Sequence, residues 1–213
     1  MPLEEFALHD PLVSAVFFIV SCFVLGAVVK YIDDAFDEKT FSRKIALILS
    51  PLAAIFWAYI MALDSAAFII LTAINVGVIV KGKIDNVAFI IAVLCIYVVY
   101  FFIGSVDFLL NPAFYIPLII ISIAGVLDEV ANDYSDKVNL YAKGGIYKFF
   151  HVFFEYRFIM KITVLLFALA GSFAFTFFLA FLAWDIGYAM VMRYSRDIAH
   201  KRKFYYDART NGY

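Results

Sequence analysis

The sequence predicts an all-α polytopic membrane protein, a bundle of about seven transmembrane helices. Three observations carry this. Of 213 residues, 65% are hydrophobic and only 16% are charged, against ~45–50% and ~25% in soluble domains. The apolar residues collect in runs of nearly membrane length, and Lys and Arg fall in alternate loops between those runs. A chain this apolar cannot clothe its surface with polar groups in water. That excludes a soluble enzyme, a nucleic-acid-binding module and a disordered linker.

A helix needs ~20 apolar residues to cross a ~30 Å hydrocarbon core. The runs predict helices over about 11–30, 45–63, 65–80, 86–106 and 108–127. Pro112 and Pro117 are expected to bend or interrupt the fifth. From Ile162 to Met192 the only charged residue is Asp185, a stretch too long for one crossing and too short for two. Extending it back to Phe149 gives helices over 149–170 and 172–192, hinged at Gly171-Ser172. The first of these then contains Glu155, Arg157 and Lys161. Residues 193–213 form a basic tail that suits anionic membrane lipid. Gly144-Gly145 breaks the preceding loop, and nothing resembles a linker, so 1–213 reads as one transmembrane domain. Met1 to Asp10 lacks the basic segment of a cleavable signal, so the first run stays as a helix. Cys22 and Cys95 lie apart in apolar runs and support no disulfide framework.

Basic residues collect in cytoplasmic loops. Lys30, Lys39, Arg43 and Lys44 follow the first run, Lys81 and Lys83 the third, and Lys137, Lys143 and Lys148 the fifth. The tail adds Arg193, Arg196, Lys201, Arg202, Lys203 and Arg209. The N-terminal segment and the turns at Asp64, Asp107 and Gly171 have none. This alternation fits seven spans in the cell membrane, with the N-terminus outside and the C-terminus cytoplasmic.

Two acidic clusters map to the inner side. The first is Asp33-Asp34-Ala35-Phe36-Asp37-Glu38; the second runs from Asp128-Glu129 through Asn132-Asp133 to Asp136. If the helices continue into them, Asp33 and Asp37 share a face, as do Glu129, Asp133 and Asp136. Like charges so placed repel by a few tenths of a kcal/mol per pair, and a cation relieves this. Oxygen ligands suit Mg²⁺, which takes one or two carboxylates and completes its shell with water and substrate phosphate. A solvated acidic loop is the plainer alternative.

The second cluster contains Asn132-Asp133-Tyr134-Ser135-Asp136, an N-D-x-x-D pattern. Here the chain resembles the UbiA-type intramembrane prenyltransferases, helical enzymes that bind a prenyl diphosphate through Mg²⁺ with two Asp-rich motifs. The resemblance implies that Asn132, Asp133 and Asp136 serve as one motif and that Asp33, Asp34 and Asp37 stand for the other.

Arg157 and Asp185 each lie fourteen residues from Gly171, ~21 Å along a helix. Lys161 lies one turn closer. Charges at such depth pair or line a polar cavity, so an ion pair of Asp185 with Arg157 or Lys161 is expected. Alternatively Arg157 and Lys161 grip a phosphate. His9, His151 and His200 are too scattered for a metal site. The 25 Phe and 14 Tyr chiefly mark lipid-facing surface and interface belts.

Two functions of different class follow. One is a Mg²⁺-dependent transferase acting on a prenyl or other lipid diphosphate at the cytoplasmic leaflet. Asp33, Asp34, Asp37, Asp133 and Asp136 would hold the metal, with Asn132, Arg157 and Lys161 on the substrate. The other is a transporter or channel for a cation or small solute with an acidic inner vestibule. A non-catalytic membrane assembly protein is the third alternative.

Overall fold

The computed structural model describes residues 10–82, 84, 86–105 and 107–210, except the side chains of Phe108, Asp136, Leu140, Tyr141 and 202–210. Among these the fold is all helical. In chain order it consists of α1 (Pro11–Phe36), α2 (Arg43–Leu63), α3 (Ser65–Val80), α4 (Val87–Ile103), α5 (Pro112–Val138), α6 (Leu140–Lys143), α7 (Gly145–Glu155), α8 (Phe158–Leu169) and α9 (Phe175–Thr210). A short 3-10 turn, Asp107–Leu110, precedes α5. Four helical segments are long and apolar enough to cross a membrane: Pro11–Phe36, Arg43–Leu63, Pro112–Ser135 and Phe175–Lys201. The apolar helices α3, α4 and α8 are shorter, at 16, 17 and 12 residues.

Short polar side chains set the helix starts. Asp10 Oδ1 accepts from the Leu12 amide at 2.8 Å, Asp64 Oδ1 from Ala66 at 2.7 Å, Asn86 Oδ1 from Phe89 at 3.0 Å and Asn111 Oδ1 from Ala113 at 3.0 Å. Each satisfies an amide that the helix itself leaves unpaired. Pro112 therefore begins α5 instead of bending it, because a proline at a helix start forfeits no hydrogen bond. The helix then runs through Pro117 to Val138.

The expected helix over 149–170 is corrected by the structure. It is broken at Tyr156-Arg157 into α7 and α8, and Arg157 adopts a left-handed backbone with φ 50°. The cause is a carboxylate on another helix. Asp128 of α5 accepts from the amides of Ile159 (3.0 Å) and Met160 (2.7 Å), capping α8 at its first turn. The fifth helix likewise extends beyond the expected 127, and the first beyond 30, so that both acidic clusters are carried on helix ends.

The most extensive helix pairing is α1 against α9. Glycine makes it possible. A Cβ on Gly26 would collide with the Trp184 carbonyl, and one on Gly187 with the Phe23 carbonyl. Small residues at such crossings let backbones approach closely. Helix α2 packs on α4, where the Ser50 hydroxyl donates to the Ala88 carbonyl. Helix α3 packs on α5, with Gly77 against Gly125. The buried Thr40 and Ser195 hydroxyls, 2.7 Å apart, tie α9 to the segment after α1. Outside this core, Leu12, Val16, Val20 and Val24 form an exposed apolar stripe along α1, as a lipid-facing surface requires.

Candidate functional site

The two acidic helix ends meet at one cavity of about 510 Å³, within the ~300–1,000 Å³ typical of ligand pockets. Helix α1 contributes Val29, Ile32 and Asp33, with Asp37 at its C-cap; helix α5 contributes Gly125, Asp128, Glu129 and Asn132. Each set follows the three- and four-residue spacing of a single helix face. Arg157 and Asp185 enter from the start of α8 and from α9. Away from these charges the wall is apolar and aromatic, with Trp57, Ile74, Ile96, Phe181 and Trp184 among its residues.

The charges within reach of the cavity are organised into pairs. Lys30 Nζ lies 2.7 Å from Asp33 Oδ2 and 2.9 Å from Asp34 Oδ1. Arg157 Nε lies 2.9 Å from Glu129 Oε1. Lys161 Nζ lies 2.7 Å from Asp185 Oδ2 and also donates to the Tyr156 carbonyl. The cross-hairpin pair expected for Asp185 is thus made by Lys161. The Tyr188 ring sits 5.1 Å from Lys30 Nζ and 5.8 Å from Arg157 Cζ, where its π face favours both cations. Arg157 combines a left-handed backbone with this paired side chain. Strained backbone of that kind is retained where surrounding contacts over-determine it, and it concentrates at functional sites.

The sequence-predicted residues divide accordingly. Asp33, Asp37, Asn132 and Arg157 line the cavity. Asp34 is 2% exposed and held by Lys30, outside the lining. Asp133 turns away to Lys81 Nζ at the C-cap of α3, at 2.7 Å. Lys161 lies behind the wall, fixed by Asp185. The Asp136 side chain lies outside the described residues. The sequence places Asp128 in the second acidic cluster and Glu129 on its charged face without marking either as a site residue, although the 125–128–129–132 spacing on α5 singles both out. No signal in the sequence pointed to Asn75 or Tyr188.

Among the described residues no three His, Cys, Asp or Glu side chains come together as a metal-ion site. A divalent ion here would depend on oxygens brought by its ligand, the usual situation for Mg²⁺ beside phosphate. The donor set fits that arrangement, because Asp33, Asp37 and Asn132 supply oxygens to one cavity. Comparison with protein-family models, with curated proteins and with solved structures finds no match to the chain.

Proposed function

We propose that this chain is a seven-span enzyme of the cell membrane, with its N-terminus outside, that uses Mg²⁺ to bind a prenyl or other lipid diphosphate at the cytoplasmic leaflet and transfers the lipid group. One observation carries the reading: the acidic faces of α1 and α5 line a single cavity whose remaining wall is mainly apolar. Such a cavity suits an amphiphile with an anionic, metal-bound head and a hydrocarbon tail. Asp33, Asp37 and Asn132 would hold Mg²⁺ together with the diphosphate. The metal would neutralise charge developing on the leaving group. Arg157, oriented through Glu129 and Tyr188, has a guanidinium suited to phosphate oxygens. Asp34, Asp133 and Lys161 act as supports, since none of them lines the cavity and each is engaged by an oppositely charged partner. The alternation of basic loops supports the seven spans and their orientation, with α3, α4 and α8 as the short members.

The test is thermal unfolding in detergent with Mg²⁺, farnesyl diphosphate, or both. A ligand that binds only the folded state raises its stability. The midpoint should rise only with both present, and Asp37→Asn should remove that rise. An equal rise without Mg²⁺, or one that survives Asp37→Asn, would overturn the reading.

A transporter of cations is favoured by a different observation. Asp33, Glu129 and Asp185 already have Lys or Arg partners, an arrangement common in intramembrane pathways. Metal- or proton-driven flux into liposomes, with no diphosphate-dependent stabilisation, would establish that function instead.

A further inference from the structure

The cavity ends on three side chains that also border a second, smaller one. Ile74 of α3 and Phe181 and Trp184 of α9 line both. The second cavity measures about 20 Å³, and its other lining side chains are all apolar, Phe18, Cys22, Ala67, Phe177 and Ala180 among them. It continues away from the charges. On α9 the large cavity takes residues 181, 184, 185 and 188, and the small one takes 177, 180, 181 and 184. The two spaces are therefore stacked end to end along one helix face, with Ile74, Phe181 and Trp184 as the partition.

That partition is firmly held. Trp184 sits where the α1 and α9 backbones touch, its carbonyl against Gly26, so it cannot shift without parting the two helices. Its ring packs edge to face on Trp57, with centroids 4.9 Å apart. Phe181 is 6% exposed and lies one turn further from the charges. Beyond it, the Phe18 and Phe177 rings pack 5.0 Å apart against the far space. An apolar space of this size stays dry, because a water molecule needs two to four polar partners.

We infer that Ile74, Phe181 and Trp184 form a floor that sets the length of the hydrocarbon tail the cavity accepts. The small cavity is the space that a longer tail would need. The inference rests on the lipid-diphosphate reading above and adds the size of the substrate. Tyr188, beside the Lys30 and Arg157 charges, lies seven residues from Phe181 on α9, ~10 Å along the helix axis. An extended isoprene unit, four carbon–carbon bonds long, covers ~5 Å. Two units therefore reach from the charged level to the floor. With one more unit beside the diphosphate, the tail that fits is farnesyl, and a fourth unit meets the floor.

Thermal unfolding in detergent with Mg²⁺ gives apparent affinities for farnesyl and geranylgeranyl diphosphate. Every added methylene otherwise favours the longer tail, so a preference for farnesyl is diagnostic. The parent protein should bind farnesyl diphosphate roughly tenfold more tightly, the scale of the penalty for overfilling a packed wall. Phe181→Ala should join the cavities and cancel or reverse that ratio. Phe181→Leu and Ile74→Ala, smaller cuts in the same floor, should lower it less, and they decide the question if Phe181→Ala does not fold. Phe102→Ala, at a 78% exposed position of α4 outside both cavities, should leave the ratio unchanged. A parent ratio of one or below, or a ratio that survives the floor variants, would overturn the floor. Farnesol and geranylgeraniol, which carry no diphosphate, are titrated alongside. If neither diphosphate stabilises the parent while farnesol is still preferred and Phe181→Ala removes that preference, the diphosphate reading falls and the floor stands. If both diphosphates stabilise the parent equally with Mg²⁺, the floor alone falls. No stabilisation by any of the four ligands would overturn both.

Discussion

The two acidic clusters have almost the same composition and do different work. The first, at the end of α1, is compensated locally. Lys30 on the same helix bridges Asp33 and Asp34 at spacings of three and four residues. The second, at the end of α5, is compensated across the bundle. Asp128 caps α8, Glu129 pairs with Arg157 and Asp133 pairs with Lys81 at the C-cap of α3. Removing a carboxylate from the first cluster disturbs one helix end. Removing one from the second loosens a contact between two different elements. Both nevertheless present a similar facial spacing to the cavity, 29–32–33–37 along α1 and its C-cap and 125–128–129–132 on α5. The acidic residues at these two helix ends are thus of two kinds, cavity-facing and architectural.

The sharpest way to break this comparison is at Asp128. Asp128→Ala strands the amides of Ile159 and Met160 in a buried site where Asp128 is 1% exposed. Loss of a helix cap costs ~0.5–2 kcal/mol, and each stranded buried donor ~1–3 kcal/mol. A destabilisation of about 2–4 kcal/mol is expected in detergent unfolding, with hydrogen exchange increased first in α8. Unchanged exchange in α8 would mean that the cap is not what ends α7 and begins α8.

A smaller effect is expected at Glu129. Its side chain is 6% exposed, but that of Arg157 is 34% exposed, so solvent screens part of the pair. Glu129→Gln should cost about 1–2 kcal/mol, below the ~3–5 kcal/mol of a fully buried pair. Arg157→Gln added to it should recover part of the loss, because no charge is then left alone. Strict additivity of the two variants would show that they do not interact.

The smallest stability effect belongs to the first cluster. Asp33→Asn leaves Lys30 with Asp34, so a change of no more than about 0.5 kcal/mol is expected. Its effect on ligand should run the other way. The Mg²⁺-dependent stabilisation by farnesyl diphosphate should fall at least tenfold in apparent affinity for Asp33→Asn and stay unchanged for Asp133→Asn. Equal losses at the two positions would erase the distinction between ligand-facing and architectural acids.

Much of this was legible in the sequence. The apolar runs place the first four helices to within a few residues at most boundaries, because each starts beside an Asp, Asn or Ser at a polar break. Counting outward from Gly171 on two antiparallel helices predicts a pair of Asp185 with Arg157 or Lys161, and the structure makes it with Lys161. The break at Arg157 was not legible. Nothing between 149 and 170 is a proline or glycine; the chain stops being helical there because a carboxylate thirty residues upstream takes over the amides. The roles within the second cluster were hidden for the same reason. The N-D-x-x-D pattern draws attention to Asp133, yet that side chain reaches Lys81, while Asp128 and Glu129 do the work at the cavity and beside it.

By itself the sequence determined what depends on one-dimensional order: the helical class, the apolar lengths, the start of most helices and the confinement of charge to particular segments. Each of these is a local property, since hydrophobic periodicity and capping act over a few residues. Tertiary structure alone decided which carboxylate meets which cation, where α8 begins, and that Trp57 and Asn75 share a wall with the acidic faces of α1 and α5. Those outcomes depend on crossings such as Gly26 against Trp184 and Gly187 against Phe23, where two backbones touch. A contact between residues so distant in the chain has no signature in either segment alone.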